Sequence, residues 1–85
     1  MVNISLDSAS KQHVVIAAPK DAILTVTKTS APDVYVSAWS DEAGNELLSA
    51  GDSMLVKAGT LKAFLFRKSP DGSPYSAALT LVNTA

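Results

Sequence analysis

The segment Ala22-Ile23-Leu24-Thr25-Val26-Thr27-Lys28-Thr29, turned by Ala31-Pro32-Asp33 into Val34-Tyr35-Val36-Ser37-Ala38-Trp39, decides how this chain is read. Apolar and polar residues alternate in it with period two, the repeat of a strand buried on one face. Ala22, Leu24, Val26 and Lys28 fall on one side and are expected to face a core. Ile23, Thr25, Thr27 and Thr29 fall on the other. In the second half Val34, Val36 and Ala38 point inward, which leaves Tyr35, Ser37 and Trp39 opposite.

The same grammar extends in both directions. Ser53–Lys57 and Leu61–Lys68 read as strands, and Tyr75–Asn83 turns Tyr75, Ala77, Leu79 and Leu81 inward. Leu61–Lys68 is apolar on both sides, with Ala63 and Leu65 on one and Phe64 and Phe66 on the other. Such a strand is central in its sheet, or a partner covers its outer face. Turn formers divide the segments: Gly44-Asn45, Ala50-Gly51-Asp52, Gly59 and Pro70-Asp71-Gly72-Ser73-Pro74. Gly51 and Gly59 are expected to supply positive φ. Upstream, Val2–Leu6 alternates like an edge strand, and Gln12–Ala17 reads as a strand covered on both faces. Ala18-Pro19-Lys20-Asp21 turns the chain, since Pro19 has no N–H to donate. The expected fold is all-β: a small β-sandwich or jelly-roll-like barrel of about 6–8 short antiparallel strands. One domain spans 1–85, with 1–17 as an N-terminal arm or an added strand pair.

Composition narrows the function classes. The net charge is −1, with seven basic and eight acidic residues. Without a basic stripe there is no electrostatic footprint for nucleic acid. No apolar run reaches the length of a membrane span. Met1-Val2-Asn3-Ile4-Ser5 has neither the basic nor the long apolar region of a secretory signal. There is no cysteine and one histidine, so neither disulfides nor zinc can staple a thin core. Oligomerisation is the remaining common means of stabilising so small a domain. An apolar fraction of 47% points the same way.

Catalytic and metal-binding patterns are lacking. His13 is the only candidate base, and no serine sits in a nucleophile elbow; it reads as a partly exposed strand residue. Asp41-Glu42-Ala43-Gly44-Asn45-Glu46 offers too few oxygens for a calcium loop and reads as a solvated turn. Gly51, Gly59 and Lys57 do not form a phosphate loop. No catalytic, cofactor or metal residue is therefore assigned. Tyr35 and Trp39 share a face, and with Phe64 and Phe66 they form the candidate binding surface. That surface would serve as a protein interface or as a stacking platform for sugar. Core capping is the structural alternative for these rings.

Four segments also carry a resemblance: Val34-Tyr35-Val36, Gly44-Asn45-Glu46-Leu47-Leu48-Ser49-Ala50-Gly51-Asp52-Ser53, Leu61-Lys62-Ala63-Phe64-Leu65-Phe66 and Leu79-Thr80-Leu81-Val82. In order and spacing they resemble small β-sandwich accessory proteins of tailed bacteriophages, which decorate capsids or build head fibres. The likeness covers residues 23–82; Val2–Ile16 has no counterpart in it. It implies a structural protein without enzymatic activity or cofactor, made in the host cytoplasm and housed in the virion. The implied partners are further copies of the chain, with a trimer preferred, and the major capsid protein or another virion subunit. The alternative from a different class is a small carbohydrate- or ligand-binding β module.

Overall fold

A computed structural model describes residues 2–40, 45–68 and 72–84. The described residues form eight strands and no helix: β1 (Val2–Asp7), β2 (His13–Ala18), β3 (Ala22–Thr29), β4 (Val34–Ser40), β5 (Glu46–Leu48), β6 (Ser53–Val56), β7 (Gly59–Arg67) and β8 (Ser76–Asn83). They make two four-stranded sheets, ordered β1-β8-β3-β6 and β2-β7-β4-β5. Every pairing is antiparallel.

The pairings are nested. β4 pairs β5, β3 pairs β6, β2 pairs β7 and β1 pairs β8, like the rungs of one long hairpin. Two further pairings, β3 with β8 and β4 with β7, fold that hairpin back on itself. Eight strands in this order are a jelly roll, the double-sheet form of two Greek keys. The expected all-β sandwich is therefore the observed fold.

The core lies between the sheets, where inward positions alternate along each strand. Leu6, Leu24, Leu61 and Leu79 are fully buried, with Val26, Val34, Val36 and Val56 around them. Alanines 22, 38, 63 and 77 also face the core, and all are buried. Small residues there keep the interior thin, as a chain of this size requires. β7 lies between β2 and β4, which is one of the two placements expected of a strand apolar on both sides.

Two inward assignments need correction. Lys28 is exposed, although alternation along β3 places it with the core. The pairing with β8 slips between Val26, opposite Leu79, and Lys28, opposite Ala78. One extra residue on β3 makes a bulge there, which reverses the parity and turns the ammonium to water. The reading of Gln12–Ala17 as covered on both faces also fails. β2 is an edge strand, and its Val15 is 58% exposed. Its run of valine and isoleucine comes from an inner face closing the sandwich, where Val14 and Ile16 are half-buried. The acidic loop at 41–44 and the first part of the Pro70–Pro74 turn lie outside the described residues.

Two loop devices hold the strands in register. Gly51 has φ +93° between β5 and β6, and nothing lies within 4 Å of the place a Cβ would occupy. Its cost to an L-residue is therefore conformational alone. Gly51→Ala is expected to lower stability by about 1 kcal/mol, read from the midpoint of urea unfolding. An unchanged midpoint would show that the turn relaxes freely.

Asp21 ties the β2–β3 turn to the β6–β7 turn. Its carboxylate accepts the Ala58 N–H at 3.0 Å and meets the Lys57 ammonium at 3.4 Å. Its carbonyl accepts the Thr84 N–H at 3.0 Å. The Ala58 N–H, with help from Lys57, holds the carboxyl below its ordinary value of 3.8. A depressed folded-state value makes this contribution fully present above pH 3.8 and lost as the pH falls through the lower folded value. Acid titration of wild type and Asp21→Asn should therefore diverge above that window and converge below it. Parallel curves throughout would show that the carboxylate's charge has no part in stability.

Candidate functional site

The four candidate residues come from two neighbouring strands. β4 and β7 pair so that Tyr35 lies opposite Phe66, Ser37 opposite Phe64 and Trp39 opposite Lys62. Val34, Val36 and Ala38 of β4 and Ala63 and Leu65 of β7 are buried on the core side. Alternation then sends Tyr35, Trp39, Phe64 and Phe66 to the outer face of the second sheet. There the structure brings all four together. Tyr35 and Phe66 stack with centroids 5.8 Å apart, Trp39 and Phe64 at 5.1 Å, and Phe64 and Phe66 meet at 6.3 Å in a tilted pair.

A fifth ring joins them. His13 lies opposite Phe64 on β2 and stacks on it at 5.3 Å with 21° between planes. Nothing local to His13 announces this role, because it follows only from the register of β2 against β7. The result is one ladder across three strands, from His13 through Phe64 to Trp39, with Phe66 and Tyr35 beside it.

The geometry of the stack limits its chemistry. Phe64 has His13 on the β2 side and Trp39 on the β4 side, each near-parallel to it. Planes this close and this parallel are offset stacks. Both faces of Phe64 are thus engaged within the protein. His13, Trp39 and Tyr35 each stack on one ring only. Lys62 places its ammonium 6.0 Å from the Trp39 ring centroid, a cation–π contact.

The ladder is rimmed with further apolar surface. Phe66 is 43% exposed, Val15 on β2 58% and Leu47 on β5 64%. Between Tyr35 and Trp39 sits Ser37, which is buried although it belongs to the outer face. Its hydroxyl hydrogen-bonds the side-chain carbonyl of Asn45, so the polar group under the rings is satisfied. A ridge of rings with no buried unmet hydrogen bond is suited to being covered by another protein surface.

Elsewhere the described residues offer little chemistry. An open depression of about 510 Å³ lies over the β3 bulge, between Asp7, Lys28 and Ser76. Two of its hydroxyls are engaged within the chain: Ser30 Oγ accepts the Ser76 N–H and Thr29 donates to the Ala31 carbonyl. Among the described residues no group of three or more His, Asp or Glu is placed to hold a metal ion. Comparison with protein-family models, curated proteins and solved structures finds no match to this chain. Fold and site together define a small jelly-roll domain with one aromatic sheet face.

Proposed function

We propose that this chain is a non-enzymatic structural subunit of a tailed-phage particle, which self-associates and seats its aromatic sheet face on the major capsid protein or another virion subunit. The observation that carries this reading is the stacked ladder of His13, Phe64, Trp39, Phe66 and Tyr35 on the outer face of β2, β7 and β4. Aromatic anchors rimmed by exposed aliphatic residues are what protein contact surfaces concentrate. The jelly roll is also an architecture common among capsid proteins. Many copies on one shell would add modest individual affinities into a firm hold on the particle.

A sugar platform fits the geometry less well. Saccharides stack on exposed ring faces; Phe64, stacked on both sides, offers none, which leaves Trp39 and Tyr35, each stacked on one ring only, as the platform. Co-sedimentation with purified capsids of the phage encoding the chain tests the proposal. Saturable binding at a fixed number of copies per capsomer is expected. Chain that stays in the supernatant, together with measurable affinity on a glycan array, would replace this function with carbohydrate binding.

A further inference from the structure

The two sheets expose four strand edges, and they differ in how they are guarded. An edge strand carries unpaired N–H and C=O groups that invite another strand unless it is short, charged or covered. β5 has three residues and begins with Glu46; β6 has four and runs into Lys57. β1 is six residues long, but Asp7 exchanges backbone hydrogen bonds with Lys11, its N–H donating at 2.7 Å and Lys11 returning one at 2.9 Å. The remaining free residues of that edge, Asn3 and Ser5, are polar. β2 differs from the other three. His13-Val14-Val15-Ile16-Ala17-Ala18 has six residues, no formal charge, no proline and an unbroken register with β7.

The backbone of β2 shows which groups are free. Gln12 lies opposite Leu65 and accepts its N–H at 2.8 Å. Hydrogen-bonded pairs alternate along an antiparallel ladder. Val14 and Ile16 therefore bond to β7, and the N–H and C=O groups of His13, Val15 and Ala17 point away from it. Among the described residues no strand pairs β2 on that side.

We propose that β2 is a self-association edge, pairing antiparallel with β2 of a second copy about a two-fold axis at Val15. In this register Val15 faces its own symmetry mate and His13 faces Ala17, so all three free residues are used and about six hydrogen bonds form. Shifting the axis by one residue toward either end leaves at least one of these residues without a partner in the strand. Shifting it toward Ala17 also draws in Pro19, which has no N–H. On the inner side Val14 meets Ile16 of the mate, and the half-buried flanks of both are covered. On the outer side Val15, exposed in the single chain, meets its equivalent. The strand carries no charge that would meet its like across the axis, so it is self-complementary as an isologous contact must be. The joined sheet runs β5-β4-β7-β2 and then the mate's β2-β7-β4-β5, bringing two aromatic ladders onto one continuous face.

This inference deepens the self-association within the proposed function, and names its contact; a two-fold strand pairing here stands in place of the three-fold arrangement the resemblance implies. Its test uses different residues from the capsid-binding test. Sedimentation equilibrium of the wild-type chain should show dimers. Val15→Lys sets two ammonium groups face to face at the axis and should raise the dissociation constant by more than about tenfold, with the circular dichroism spectrum unchanged. Because the chain has no cysteine, Val15→Cys supplies a unique thiol. Paired Cα atoms about 5.5 Å apart allow a disulfide, so mild oxidation should give a cross-linked dimer. Leu55→Cys on β6 should not cross-link. A monomeric wild type, an oligomer indifferent to Val15→Lys, or cross-linking at Leu55→Cys in place of Val15→Cys would each overturn the assignment. Dimers that persist in a chain unable to bind capsids would refute the proposed function alone.

Discussion

Leu24→Ala is expected to destabilise the domain by about 3–5 kcal/mol, the range for a leucine deleted from a packed interior. Leu24 is fully buried in β3, a strand paired on both sides. It lies opposite Met54 on β6 and Leu81 on β8, both buried. Removing its branched end leaves a cavity that two hydrogen-bonded ladders prevent from closing. A domain of 85 residues has roughly 4–13 kcal/mol in total, at about 0.05–0.15 per residue. The substitution therefore removes roughly a quarter or more of the stability, and at the low end of that range unfolds the chain at ambient temperature. Urea unfolding followed by tryptophan fluorescence would measure it, with the slope m unchanged. The contrasting substitution is Leu47→Ala, at a side chain 64% exposed on the outer face. It should cost less than about 0.5 kcal/mol in the isolated domain. Equal losses at the two positions would contradict the division into inner and outer faces.

That division was the part of the fold most open to reading from residue order. In β4 and β7 strict alternation separates valine, alanine and leucine from the rings, and burial follows it except at Ser37, an outer-face residue that is buried. The central position of β7 was legible as one of two placements, because both of its faces are apolar. Lys28 was not, because a bulge depends on how two strands distant in sequence align, and nothing in Thr27-Lys28 marks it. Val15 escapes the pattern for a related reason. Three consecutive β-branched residues look the same in a buried strand and in an edge strand whose outer side awaits a partner. The candidate site divides along the same line. Tyr35, Trp39, Phe64 and Phe66 were found from parity within single strands. His13 enters only through cross-strand register, and the stacking of the rings depends on rotamers that pattern does not encode.

Trp39→Ala is expected to weaken partner binding by about 2 kcal/mol or more while the domain stays folded, if the ladder is the docking surface. Trp39 is half-buried and covers no core residue from within; Ala38 and Val36 beside it do that. What it supplies to the isolated domain is one offset stack on Phe64 and the contact with Lys62. Losing them should cost about 1 kcal/mol of stability. The larger effect arises on association, where the indole would be desolvated against the partner and its removal leaves a hole in a rigid row of rings. Binding to capsids and urea unfolding of the same variant separate the cases. Weakened binding with a nearly unchanged midpoint places Trp39 at the contact. Loss of the fold, with undiminished binding by the molecules that remain folded, would make it a structural residue and remove the aromatic ladder as the docking surface.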